Sequence, residues 1–277
     1  MTVLVTAANG NQGKVLIPKL LAAGVDVRAC VRSKASASSL RVAGVTDIVV
    51  GDIGDPAVLG RAMNCVEKIY YVGPALHPQE RETGFAVIDA ARSVGVRHFV
   101  FSSVLHAITT DLIQHEIKRD LEENLLSSGL EFTILQPANY MLRHRLRSAF
   151  ETGVFRLSWS LNRYQSMVDL TDVTDVAAAV LTDTARHAGA TYELVAPGRY
   201  TAYDLARSIS EVMDREIVAE YIDSDVFLRA ALGTDDLSQF PYQTRVARAI
   251  SDRYSRHDFV GNSNVLGWLL NRRPSTW

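Results

Sequence analysis

Apolar residues along the chain fall into two alternating patterns. Short runs rich in apolar and β-branched residues occur at Met1–Val5, Gly24–Arg32, Asp47–Asp52, Val66–Val72, Val96–Ser103 and Gly129–Pro137. Their length and composition predict buried strands. Between them lie segments whose apolar residues recur every three or four positions. Lys14–Ala23 is one, and Glu80–Val94 carries Phe85, Val87, Ile88 and Ala91 on one face. Asp111–Leu126 does the same with Ile113, Ile117, Leu121 and Leu125. Ser36–Gly44 and the segment from Pro56, which Asp55 caps, complete the series as shorter helices. Strand and helix alternate without interruption, which implies a parallel sheet with helices on both faces. Beyond Met141 the pattern loosens. Leu142–Tyr164 leaves the sheet, Gln165–Leu170 returns as a strand, and Asp172 caps a helix running to Val180. Tyr192–Val195 and Ile217–Tyr221 read as strands. Thr201–Asp204 opens a helix to Met213, and Ser224–Arg256 is helical with a break at Phe240-Pro241.

The 277 residues are 47% apolar and 22% charged, with a formal net charge of −2. That suits a globular chain with a substantial core. It provides no field to attract nucleic acid, so no nucleic-acid partner is expected. The basic stretch Arg143–Arg147 reads as a solvated helix face. No apolar run is long enough to span a bilayer, and no leader precedes the first strand, so a cytoplasmic protein without membrane contact is expected. Cys30 and Cys65 sit in apolar contexts without metal-ligand spacing, as reduced thiols; no metal is expected. His257-Asp258 looks like an acid–base pair, but adjacent residues point apart.

The chemistry is concentrated where strands end. After the first strand comes Ala7-Ala-Asn-Gly-Asn-Gln-Gly13, a strand–turn–helix entry with Ala7 where a dinucleotide loop usually starts with glycine. Gly10 lets backbone approach a pyrophosphate and Gly13 lets helix lie on strand. Asn11 and Gln12 are expected phosphate contacts at the helix N-terminus, with Thr6, Ala8 and Asn9 beside them. The second strand ends without the acidic residue that would take a ribose 2′-hydroxyl. Arg32 and Lys34 follow instead, which suits a 2′-phosphate and so NADP(H). Asp52 and Ile53 end the third strand, near an adenine; Asp52 is open to a turn role as well. Val72, Gly73 and Pro74 end the fourth, and Ser102 and Ser103 the fifth. Pro137, Asn139 and Tyr140 follow the sixth.

On the Asp111–Leu126 helix, Gln114, His115 and Lys118 share a neighbourhood. A lysine there can bind ribose hydroxyls and a histidine can act as general acid; a charged, solvated helix face is the alternative. An apolar substrate would meet Leu76, His77, His106, Tyr140 and Met141, with Trp159 and Tyr164 from the covering segment, although lone aromatics are more often core residues.

These residues together resemble the NmrA-like family, atypical members of the extended short-chain dehydrogenase/reductase group. The resemblance is carried by Val5–Gly13, Val31-Arg32, His98–Ser103, His115-Glu-Ile-Lys118 with Leu121-Glu-Glu123, and Phe132–Met141. Val168-Asp-Leu-Thr-Asp172 and Gly267–Pro274 extend it to the rest of the chain. It implies a doubly wound parallel-sheet α/β Rossmann fold. Residues 1–141, with a return segment at about 165–181, would form the NADP-binding domain. Residues 142–164 and 182–277 would form a smaller α+β substrate lobe. The group's Tyr-x-x-x-Lys pair becomes Gln114 and Lys118, so the phenolic acid is missing while the lysine is kept. Ser103 stands near the group's usual serine, with Ser102 as the competing register.

The expected function is NADPH-dependent reduction of a small apolar carbonyl, quinone or related aromatic substrate. Lys118 would hold the ribose, His115 or a water would supply the proton, and Ser103 would hold the substrate oxygen. The alternatives are a non-catalytic NADP(H) sensor, which implies a protein partner, and a non-redox isomerase or cyclase on the same scaffold.

Overall fold

The computed structural model describes residues 1–277. The first half is the predicted alternation. Strand β1 (Thr2–Val5) leads to helix α1 (Asn11–Ala22), β2 (Asp26–Val31) to α2 (Lys34–Val42), and β3 (Asp47–Val50) to α3 (Pro56–Met63). Then β4 (Lys68–Tyr71) leads to α4 (Glu80–Ser93), β5 (His98–Ser102) to α5 (Ile113–Leu126), and β6 (Phe132–Pro137) completes the run. After β7 (Asn139–Tyr140) come a 3₁₀ turn at Arg143–Leu146, α6 (Arg147–Thr152), β8 (Val154–Leu157), β9 (Met167–Val168) and α7 (Leu170–Thr182). The chain ends through β10 (Ala190–Leu194), α8 (Ala202–Met213), β11 (Val218–Tyr221), α9 (Ser224–Leu232), α10 (Pro241–Arg256) and α11 (Asn264–Leu270).

Seven strands form one sheet in the order β10-β6-β5-β4-β1-β2-β3, every pairing parallel. The order of strand addition reverses between β1 and β4, which leaves a crevice at the carboxyl ends of those strands, where ligands bind in open α/β sheets. The two-residue period divides the core. Val3, Val5 and Tyr70 face α1, α2 and α7, while Leu4, Ile69, Tyr71 and Phe101 face α3, α4 and α5. Alternate strand residues thus feed two separate apolar clusters, as a sheet covered on both faces requires.

The smaller lobe has its own core of Ala149, Phe155, Leu205, Ile209 and Ile217, around a two-stranded sheet of β8 and β11. Its boundaries differ from expectation in two respects. Strand β10 is not in the lobe; it pairs along its full length with β6, Ala190 to Thr133 through Leu194 to Pro137. Helix α11 also returns to pack on α7 and β10. The helix-capping assignment changes too. Asp169, not Asp172, caps α7, accepting from the Thr171 N–H at 2.7 Å. Asp172 is fully buried and binds the C-terminal segment, accepting from Arg272 at 2.7 Å and from the Ser275 N–H at 2.6 Å. The basic stretch Arg143–Arg147 is exposed, and Arg147 pairs with Glu151 at 2.7 Å. No helix is long and apolar enough to cross a membrane, and no group of acidic, histidine or cysteine side chains is arranged to hold a metal ion.

Candidate functional site

The β1–α1 turn is built to bring backbone, rather than side chains, to a ligand. Ala7 takes a left-handed φ of 46°, the conformation glycine adopts without cost. Gly10 is the N-cap of α1 and offers no side-chain acceptor. The first backbone bond of the helix runs from Lys14 N–H to the Gly10 carbonyl, so the N–H groups of Asn11, Gln12 and Gly13 remain free at the helix end. A Cβ on Gly13 would lie 2.6 Å from the Ala8 carbonyl carbon, so only glycine lets α1 approach β1 this closely.

Several side chains expected to face the ligand instead form the floor of this turn. Thr6 bridges β1 and β4, donating to the Val72 carbonyl at 3.0 Å and accepting the Val72 N–H at 2.8 Å. Ala8 is fully buried and its N–H binds the Cys30 carbonyl at 3.2 Å. Gln12 does not point outward: its amide is bonded to Ser102 Oγ at 2.9 Å and accepts from the Tyr70 hydroxyl. Only the Gln12 backbone is left for an anion. Ser102 is spent on the same bond, and Asn9 donates to Ser36 Oγ at 3.0 Å.

Around the β2 end the side chains are free. Arg32 and Lys34 are exposed and neither has a carboxylate within ion-pair distance. Ser33 caps α2 by accepting the Ser36 N–H at 3.1 Å. Asp52 forms a turn with the Gly54 N–H at 2.9 Å, its second oxygen and exposed position leaving it open at the end of β3, where Ile53 is half-buried.

Lys118 is carried from α5 to the end of β4. Its Nζ lies 2.8 Å from Glu80 Oε1 and 5.2 Å from the centre of the Phe101 ring. A Cβ on Gly73 would sit 3.3 Å from that Nζ, so the ammonium group touches the turn that Gly73 and Pro74 make. Glu80 went unnoticed in the sequence; no periodic signal links it to a residue on another helix. Ser103 and His115 do not join Lys118. Ser103 donates to Glu122, which also accepts from Gln136 at 2.9 Å. Burial pushes the Glu122 carboxyl up, opposed by those hydrogen bonds and by the Lys118 charge. His115 is buried, its Nδ1 shared between Thr109 Oγ1 at 2.9 Å and the His106 carbonyl at 3.0 Å. Burial pushes its imidazole down to about 4, so it is neutral near pH 7 and cannot serve as the expected proton donor.

On the opposite side of the sheet end, Tyr254 and Phe259 join residues proposed separately for the substrate. Trp159 lies edge-on to Tyr254 at 5.4 Å, Tyr254 stacks on Phe259 at 5.0 Å, and His106 and His115 each meet Phe259 at 5.8 Å. Tyr140 and Trp159 hold buried polar atoms without hydrogen-bond partners. Asn139 is tied to Gln165 at 2.8 Å, Pro137 is buried at the β6 end, and Met141 is half-buried. Leu76 is exposed, and its carbonyl accepts from Gln243 at 3.2 Å; His77 accepts the Gln79 N–H at 3.2 Å. Tyr164 joins this cluster only through its backbone, its carbonyl accepting the Phe259 N–H at 2.9 Å, while its ring is covered by the Arg199 guanidinium at 4.6 Å.

A parallel sheet in this order, with a glycine turn and free helix N–H groups at its central crevice, defines a Rossmann-type dinucleotide-binding protein. More particularly, the chain belongs to the NmrA-like family, whose pattern matches residues 1–253. An NAD(P)H azoreductase of Xenophilus azovorans is 30% identical over 220 residues, 78% of this chain and 75% of the relative. Quinone oxidoreductase 2 of Escherichia coli strain K12 is 28% identical over 232 residues, 82% of this chain and 80% of that one. Among solved structures, Citrobacter sp. triphenylmethane reductase complexed with NADP(H) superposes with a TM-score of 0.83 at 24% identity, over 99% of this chain and 97% of the other. That likeness speaks for the fold.

Proposed function

We propose that the protein is an NADPH-dependent reductase of the atypical short-chain dehydrogenase type, acting on a small apolar carbonyl, quinone or related aromatic compound. The observation that carries the reading is the pair Arg32 and Lys34, exposed and free of carboxylates, beside a helix end with free N–H groups. A guanidinium and an ammonium group left in that state next to the ribose position suit a 2′-phosphate. The names of the relatives, an NAD(P)H azoreductase and a quinone oxidoreductase, agree with it.

Bound NADPH supplies a hydride. The chain's own residues do the rest. The N–H groups of Asn11, Gln12 and Gly13 hold pyrophosphate, and Arg32 and Lys34 hold the 2′-phosphate. Lys118 donates to ribose hydroxyls from the end of β4. Trp159, with Tyr254 and Phe259 behind it, presents aromatic surface to a planar substrate and keeps water from it. Since His115 is neutral and Ser103 is bonded to Glu122, the proton comes from solvent.

Titration of the protein's fluorescence with NADPH and NADH, followed by NADPH oxidation with a panel of quinones and azo dyes, tests this. Tighter NADPH binding with turnover is expected. Tight binding with no turnover across the panel would favour a sensor, for which the engagement of Ser103 and His115 is the supporting observation.

A further inference from the structure

The pair formed by Lys118 and Glu80 is more than a local contact. Glu80 is 1% exposed and Lys118 9%, so both charges lie almost wholly out of water. Such a pair breaks even at best as a source of stability, because desolvation offsets attraction. It has a geometric effect that does not depend on that balance. A lysine side chain has four rotatable carbons and a compact head group that finds many positions. Here the head group is fixed at 2.8 Å from Oε1 of Glu80, with the Phe101 ring below it and the Gly73 backbone beside it.

The surroundings show that Glu80 has this task to itself. It is the one carboxylate within ion-pair distance of Lys118. Glu122, one turn further along α5, feels the ammonium charge but is bonded to Ser103 and Gln136. Arg81, next to Glu80, is neutralised elsewhere, by Asp120 at 2.8 Å and Glu116 at 3.6 Å. Tyr71 from β4 and Tyr242 from α10 lie close enough for the Glu80 charge to push both phenols up, after burial, and neither hydroxyl has a hydrogen-bond partner. Glu80 also stands in the first turn of α4, where the helix end favours a negative charge.

We propose that Glu80 is a positioning residue: it holds the Lys118 ammonium in place at the end of β4 so that its donors are aimed at the ribose of a bound dinucleotide. An ammonium group has three donors; the 2.8 Å contact with Glu80 is an ion pair outside hydrogen-bond geometry, since Glu80 Oε1 has no hydrogen-bond partner. The arrangement rests on the NADPH reading above and adds to it a residue on a different helix. It also accounts for how the lysine works without a phenolic neighbour: a carboxylate from α4 orients it in place of a partner on its own helix. Pre-ordering the side chain removes the entropy that binding would otherwise have to overcome.

The test is a double-mutant cycle on the full-length protein with Glu80→Gln, Lys118→Met and the combination, read by NADPH affinity, by kcat and KM with a quinone, and by thermal denaturation. Glu80→Gln should weaken NADPH binding about tenfold, the order of coupling found between contacting residues. It should lower kcat while leaving the quinone KM unchanged. In the Lys118→Met background the same substitution should change neither. Glu80→Asp should recover part of the loss. If Glu80→Gln does not fold, Glu80→Asp and the combined variant, which removes both buried charges, carry the comparison. Wild-type affinity and kcat in Glu80→Gln, or an equal loss with Lys118 already removed, would overturn the proposal. Failure of the wild-type protein to prefer NADPH would instead overturn the reading on which it rests.

Discussion

The two sides of the sheet crevice handle their polar groups in opposite ways. On the β1–β2 side, backbone N–H groups and the Arg32 and Lys34 side chains are left without partners. On the β4–β5 side, the three candidate catalytic side chains are engaged: Lys118 with Glu80, Ser103 with Glu122, His115 with Thr109. The first arrangement leaves donors ready for an anion, which supplies affinity. The second fixes positions in advance, which serves orientation. A region that binds can be assembled from short local motifs, whereas a region that orients needs partners from distant segments.

Four substitutions would break or sharpen that contrast. Gly13→Val should do most, because its Cβ meets the Ala8 backbone rather than a movable side chain. A loss of ~3 kcal/mol in urea denaturation is expected, at the upper end for overpacking, together with loss of NADPH binding. On the oriented side, His115 makes stability depend on pH. Its folded pKa of about 4 lies below the ordinary 6.5, so the unfolded chain takes up the proton first. That stability is complete above pH 6.5 and is lost as pH falls towards 4, by about 3 kcal/mol in all. Urea midpoints of His115→Gln between pH 4 and 7 should show a flatter dependence, with a residual slope from His98, which burial also pushes down. An unchanged slope would mean that His115 is not the group responsible.

Arg32→Ala should cost roughly 2 kcal/mol of NADPH affinity, the range for hydrogen bonds to charged groups, and leave NADH binding as it was. Equal affinities for the two cofactors in the unmutated protein would remove Arg32 from the 2′-phosphate site. The smallest effect is expected from Ala7→Gly. Relief of the left-handed φ should raise stability by about 1 kcal/mol, less the greater freedom of glycine in the unfolded chain. A drop in melting temperature would show that the Ala7 methyl group packs usefully.

The same contrast separates what the sequence disclosed from what it concealed. The glycine turn, the absence of an acidic residue after the second strand and the strand–helix alternation of the first half were legible because each rests on a few consecutive residues or on a period. Lys118 was legible by its spacing on α5, but its partner was not, since Glu80 lies on another helix. His115 carried the right side chain for an acid, and only the Thr109 and His106 contacts reveal that it is buried and neutral. Gln12 looked like a phosphate ligand by position in the loop, yet Tyr70 and Ser102 draw its side chain inward. Strand β10 was seen as a strand but assigned to the wrong body, because parallel pairing with β6 leaves no local trace. Tyr254 and Phe259 were passed over for a similar reason: each is a single aromatic residue until the fold stacks them.

Helix α10 grips both loops that border the crevice. Near its start Gln243 binds the Leu76 carbonyl in the loop after β4, and near its end Arg253 pairs with Asp111 in the loop after β5 at 3.0 Å. These grips are ten residues apart, roughly 15 Å along a helix. A rigid rod attached at two such points ties the loops into one mechanical unit. Displacing either loop therefore breaks its contact with α10 or carries α10 with it.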